Sequence, residues 1–195
     1  MVDDGLSYGN MSTAPQPRKL LTVEEYLAWA EDHPGRYELF RGEVVAMTPE
    51  MARHAERKAG VYGTLREALR AKRLPCLVLP DGMTVRIDDT TAFEPDALVY
   101  CGTRLPPAAV MVPNPLIVAQ VLSHSTRRID LSHKLAGYFR VPSVQHYLVV
   151  DPEKPLVLHH ARDSDGSIRT RIVTEGTIAL DPPGIALALA DIYAD

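Results

Sequence analysis

The run Leu116-Ile117-Val118-Ala119-Gln120-Val121-Leu122 limits the possible folds more than any other part of the chain, because it is almost continuously apolar. Such a run suits a central strand covered on both faces. Tyr147-Leu148-Val149-Val150 has the same character. Between the two, Asp130 to Phe139 reads as an amphipathic helix with Leu131, Lys134, Leu135 and Tyr138 along its apolar side. Buried strands joined by such a helix require layers on each side of a sheet, so a three-layer mixed α/β fold is expected.

The remaining elements fit that plan. Thr22 stands three residues before Glu25 in Thr22-Val23-Glu24-Glu25-Tyr26-Leu27, the pattern of a capping box opening a short helix that stops before Pro34-Gly35. Tyr37 to Phe40 and Glu43 to Met47 flank Arg41-Gly42 and read as a hairpin. A long helix from about Ala52 to Lys72 carries Val61, Leu65, Ala68 and Leu69 on its buried side. Further strands are expected at Cys76 to Leu79, Thr84 to Ile87, Ala97 to Tyr100, Leu156 to His160 and Arg169 to Val173, with Gly166 turning the last hairpin. Residues 1–18, rich in Ser, Gly, Asn, Pro and Gln, read as a flexible tail before a single domain spanning 19–195.

Composition excludes some classes of function. A net charge of -4 argues against a globally basic nucleic-acid coat, so contact with DNA would fall to a local patch. The segment from Arg53 to Arg73 supplies one, with Lys or Arg at 53, 57, 58, 66, 70, 72 and 73 against Glu56 and Glu67. A solvated helix face is the plainer reading of such a run. Cys76 and Cys101 form no C-x-x-C pattern, and the expectation is two reduced thiols in a cytoplasmic protein. No stretch is long and apolar enough for a membrane-spanning helix. A P-loop, a dinucleotide-binding glycine motif and an H-E-x-x-H helix are absent from the sequence. His159-His160 are adjacent and would face opposite sides of a strand, so they form no compact metal pair. Ser123-His124-Ser125 lacks the context of a nucleophile elbow.

Three polar residues interrupt apolar elements. Lys134 lies inside its helix's apolar stripe, where an ammonium is costly unless an anion or a reaction awaits it. Snorkelling to solvent is the structural alternative. Asp96 opens the strand Ala97 to Tyr100 after Glu94-Pro95, as a metal ligand or as a simple turn residue. Gln120 could offer an amide oxygen to a metal, whereas an isolated Gln in such a strand is more often a buried amide satisfied by backbone. Hydrolysis of a phosphodiester needs oxygen ligands for Mg²⁺, a positioned water and a cation beside the developing charge, and these three types match that list.

The ordered set resembles the Uma-type family of bacterial proteins assigned as endonucleases, within the PD-(D/E)XK restriction-endonuclease-like superfamily. It comprises Leu-Thr-Val-Glu-Glu-Tyr-Leu, Arg36 to Glu43, His54, Pro95-Asp96, Val121 to Thr126, Asp130, Lys134, Tyr138 and Tyr147 to Pro152. The resemblance runs from about Leu21 to the C-terminus. It implies a restriction-endonuclease-like mixed β-sheet core flanked by helices, with an N-terminal helix and hairpin and a β-rich C-terminal extension. It also implies Mg²⁺- or Mn²⁺-dependent cleavage of DNA phosphodiesters, with Asp96 as the Asp of the PD motif and Lys134 as the family's lysine moved onto the following helix. Asp96 and Gln120 would hold the metal, and a homodimer is in keeping with the superfamily. Glu43 and His54 match accessory positions, although from sequence alone Glu43 is equally an exposed hairpin residue and His54 an ordinary histidine.

One departure matters. Gln120 stands where the family usually has Glu, and His124 where it usually has Pro. A neutral amide removes a negative charge on which Mg²⁺ affinity depends. The alternative is therefore a catalytically inactive nuclease-fold module for DNA binding or assembly, and a third possibility is a structural partner that never meets DNA.

Overall fold

The computed structural model describes residues 19–122 and 130–194, with the side chains of Asp130 and Leu131 outside that description. The expected flexible tail, the motif Ser123-His124-Ser125 and the apolar placement of Leu131 all lie outside the described residues. In chain order the elements are α1 (Val23–Glu31), β1 (Tyr37–Phe40), β2 (Glu43–Ala46), α2 (Ala52–Ala71), β3 (Cys76–Pro80), β4 (Val85–Asp88) and β5 (Thr91–Phe93). Next come β6 (Ala97–Cys101), β7 (Pro115–Val121), a π-helical turn (Asp130–Lys134) running into α3 (Leu135–Tyr138), and β8 (His146–Val150). The chain ends with β9 (Val157–Arg162), β10 (Ile168–Val173), β11 (Thr177–Leu180), β12 (Ile185–Ala188) and α4 (Leu189–Ile192). The fold is mixed α/β, a mixed sheet flanked by helices with an N-terminal helix and hairpin, as the resemblance implied.

The main sheet has six strands in the order β10-β9-β8-β7-β6-β3. Only β7 and β8 run parallel, and the segment carrying the π-helical turn and α3 joins them. As the apolar runs require, β7 and β8 lie at the centre with both faces covered. On one face α2 and the C-terminal elements enclose Val99, Ala119, Val121 and Leu148. On the other, α3, β4 and β5 enclose Leu98, Val118, Val149 and Tyr138. Val61, Leu65 and Leu69 of α2 are buried, and each such side chain contributes roughly 1.5–3 kcal/mol.

A second sheet has the order β2-β1-β5-β4, and Val85 of β4 and Phe93 of β5 pack against Leu98 and Val118 of the first. Its hairpin forms at Tyr37–Phe40 and Glu43–Ala46, with Arg41 and Gly42 both at positive φ as a tight two-residue turn demands. The capping box is present: Glu25 N donates to Thr22 Oγ1 and Thr22 N donates to Glu25 Oε2. Where a β-carbon would stand on Gly137, the Phe93 ring lies at 2.7 Å. A larger residue would push α3 off β5, and Lys134 with it.

The cysteines depart from expectation. Cys76 and Cys101 are joined by a disulfide, not reduced. The antiparallel register of β3 on β6 sets them directly opposite, which their separation along the chain conceals. The inference of a cytoplasmic location from reduced thiols therefore has no footing. No helix among the described residues is long and apolar enough to cross a membrane.

Candidate active site

Asp96 enters β6 from the Glu94-Pro95 turn and is pinned to β7 at three points. Its N–H donates to Ala119 O, and its Oδ2 accepts from Val121 N at 2.7 Å and from Gln120 Nε2 at 2.8 Å. By period two, Gln120 shares a sheet face with Val118 and Leu122, beneath α3. Its amide oxygen accepts from Lys134 Nζ at 3.3 Å, and the same ammonium donates to Glu38 Oε1 at 2.9 Å. Lys134 is 2% exposed, so its stem does not snorkel. The Phe93 ring, 5.6 Å from the ammonium, adds a cation–π contact. Gln120 is thus a buried amide satisfied by two side chains, turning its NH₂ to a carboxylate and its oxygen to an ammonium.

A second lysine completes the cluster. Lys58 of α2 is 7% exposed and ion-paired with Asp81, with Glu50 at 3.1 Å and with Asp96 Oδ1 at 3.4 Å. His54, one turn earlier, points Nδ1 at Glu50 Oε2 (2.7 Å) and Nε2 at Val121 O (3.0 Å). Both partners are acceptors, so the arrangement is fully satisfied when both ring nitrogens carry protons. Arg36 bridges Asp81 at 2.8 Å and Glu94, whose N–H donates to Glu38.

These groups shift one another. Burial pushes the Asp96 carboxyl above the usual range, opposed by Lys58, the Val121 N–H, His54 and Lys134. Burial alone would lower Lys58, but its carboxylate partners, Asp81 foremost, raise it and keep it charged. Burial likewise acts to raise Asp81 and Glu50, and the cations beside them hold both below the usual range.

Of the residues singled out from the sequence, Asp96, Gln120, Lys134 and His54 come together. Glu43 does not join them: it is exposed at the start of β2, opposite Phe40, and among the described residues touches none of them. The hairpin carboxylate at the cluster is Glu38. Lys58 was legible by the criterion applied to Lys134, since it stands three residues before Val61 on the buried side of α2. Glu50, Asp81, Glu94 and Arg36 carry no such signal and arrive by tertiary packing. The basic run on α2 is also divided. Arg53, though exposed, pairs with Glu153, Arg57 donates to Ile192 O over the Tyr193 ring, and Lys58 is buried, whereas Arg66, Arg70, Lys72 and Arg73 are exposed.

Proteins of the restriction-endonuclease type generally use divalent metals, and the donors here do not fit one as folded. Asp96 Oδ2 already accepts two N–H groups, and Oδ1 faces an ammonium. The Gln120 oxygen is turned to Lys134, and the Val121 carbonyl faces His54. Among the described residues no group of three or more His, Cys, Asp or Glu side chains is arranged to hold a metal ion. To accept an ion between Asp96 and Gln120, the amide would have to turn and Lys58 withdraw.

Residues 23–190 match the model of the Uma2 family, described as "Putative restriction endonuclease". The chain is 27% identical over 186 residues to the uncharacterized protein slr1290 of Synechocystis sp., covering 93% of this chain and 94% of that one. It is 25% identical over 149 residues to the uncharacterized protein sll1609 of the same organism, covering 75% and 84% respectively. Among solved structures, a putative nuclease belonging to DUF820 from Anabaena variabilis superposes with a TM-score of 0.71 at 13% identity, over 89% of this chain and 98% of that one.

Proposed function

The chain belongs to the Uma2 family, and on that footing we propose that it is an endonuclease hydrolysing DNA phosphodiester bonds at the Asp96–Gln120–Lys134 cluster. One observation carries the reading. Two buried ammonium groups, Lys134 and Lys58, flank a single carboxylate–amide pair where β6 begins and β7 ends. Attack of water on phosphorus concentrates negative charge on the phosphoryl oxygens, and preorganised cations are the groups that stabilise such charge. Lys134 is held for that task by Glu38 and Gln120, and Asp96 fixes the Gln120 side chain by accepting from its amide N–H. His54, through Glu50 and the Val121 carbonyl, positions Lys58 rather than meeting the phosphate. Arg66 and Arg70 of α2, with Lys72 and Arg73 just past its end, are open to solvent.

A second reading is favoured by Gln120 itself: a nuclease fold that binds DNA without cutting it. In this reading the neutral amide closes the cluster on itself and no metal is drawn in. Plasmid cleavage by the native protein and Gln120→Glu, each in Mg²⁺, in Mn²⁺ and in chelator, separates the two. Cleavage by the native protein supports the nuclease reading. An inert native protein beside an active, metal-requiring Gln120→Glu variant establishes the second.

A further inference from the structure

The main sheet ends at β3, and among the described residues no strand pairs with its outer edge. The ladder to β6 shows which backbone groups that edge presents. Gly102 N donates to Pro75 O, and the register continues Cys76↔Cys101, Leu77↔Tyr100, Val78↔Val99. The hydrogen-bonded positions are therefore 75, 77 and 79, and the N–H and C=O groups of Cys76 and Val78 point away from β6.

This edge is the floor of a groove of about 730 Å³. One wall is the C-terminal half of α2 and the turn after it, with Arg66, Arg70 and Arg73; the other is the segment 102–109, with Arg104 and Leu105. The walls stand on opposite faces of the sheet, because α2 packs on the face of Val99 and Leu105 on the face of Leu98. The opening between them therefore lies in the plane of the sheet, where a neighbouring strand would sit. No carboxylate lines it, and none of its four arginines forms an ion pair among the described residues. Leu77, Leu79 and Pro106 supply apolar surface between the charges.

We propose that this groove binds an extended acidic segment of another protein, which adds to the sheet as a strand beside β3. Outward backbone donors and acceptors alternate along the edge, and a peptide backbone answers both, whereas phosphodiester oxygens only accept. The arginines answer carboxylates on alternate side chains. A second copy of this chain is disfavoured as occupant, because edge-to-edge pairing would bring two sets of arginines together. The inference does not depend on the nuclease reading.

Titration calorimetry with a short capped peptide alternating valine and glutamate, against a matched valine–lysine peptide, tests it on the full chain. The acidic peptide is expected to bind and the basic one not. The charge-reversed double variant Arg66→Glu/Arg70→Glu, both on an exposed helix face, should weaken binding about tenfold or more. Val78→Pro removes an outward N–H and should do the same; if that variant does not fold, the double variant still decides. No binding of the acidic peptide overturns the proposal, as does affinity unchanged in either folded variant. An oligothymidylate that displaces the peptide and binds more tightly would make the groove a nucleic-acid track. Self-association that Arg66→Glu/Arg70→Glu abolishes would make it a dimer interface.

Discussion

At the scale of single residues, Gln120 decides how the cluster is held. Its amide is the one side chain of this size that donates to Asp96 and accepts from Lys134 at once. Gln120→Glu would remove the N–H given to Asp96 and set a second carboxylate beside it, a repulsion of up to about 4 kcal/mol at an effective dielectric near 20 that attraction to Lys134, already paired with Glu38, offsets in part. The variant should melt well below the native protein in chelator at neutral pH, and Mg²⁺ should restore it while leaving the native midpoint nearly unmoved. Equal melting of the two proteins in chelator would contradict this account of Gln120.

A second residue contributes to the response to acid. His146 Nε2 donates to Pro182 O, so its Nδ1 accepts from His159 Nε2 at 3.0 Å, and both rings are neutral. Burial, then His146, Arg171 and neighbouring positive charge, lowers the His159 pKa to about 4 from an ordinary 6.5. Between those values the unfolded chain takes up a proton that the folded chain refuses. The stability His159 confers is thus complete above about 6.5 and is lost as pH falls toward 4. Urea midpoints measured across that window should fall steeply for the native protein and less steeply for His159→Gln; parallel curves would exclude His159 as the cause.

At the scale of elements, patterns with a local origin were legible and those set by register were not. The capping box at Thr22, the Arg41-Gly42 hairpin, the buried stripe of α2 and the apolar strands β7 and β8 all follow from near neighbours in sequence. β5 and α4 have three and four residues, too few for a periodicity to show; β11 and β12 alternate in burial but consist largely of Ala, Ile and Leu, so their sequence does not display that alternation. The Cys76–Cys101 bond belongs to the second kind, since only the pairing of β3 with β6 brings the thiols together. Closing a loop with a sequence separation of 25 constrains the unfolded chain by about 3–4 kcal/mol in the chain-entropy model. Cys76→Ser/Cys101→Ser should therefore lower the free energy of unfolding by about 2–4 kcal/mol. A double variant as stable as the oxidised native protein would show that the bond contributes nothing. The cluster divides in the same way. Asp96, Gln120 and Lys134 interrupt apolar elements and announce themselves, and Lys58 does so on α2. Glu38 and the outer ring of Glu50, Asp81, Glu94 and Arg36 lie on elements whose sequence does not mark them.

At the scale of the whole molecule, β3 leads from one feature to the other. From Cys76 to Leu79 it lines the arginine-walled groove, and Asp81, just beyond its Pro80 end, pairs with the buried Lys58. The fold thus separates a compact charged cluster from an open surface, and the proposed chemistry and the proposed partner binding fall in different places. The central claim is that Lys134 stabilises charge on a phosphodiester undergoing hydrolysis. Single-turnover cleavage of plasmid DNA by the native protein and by Lys134→Ala, with DNA binding measured in parallel, tests it most directly. The account predicts a loss of about 10²–10³-fold in the cleavage rate with binding retained. Cleavage at the native rate by Lys134→Ala would contradict it.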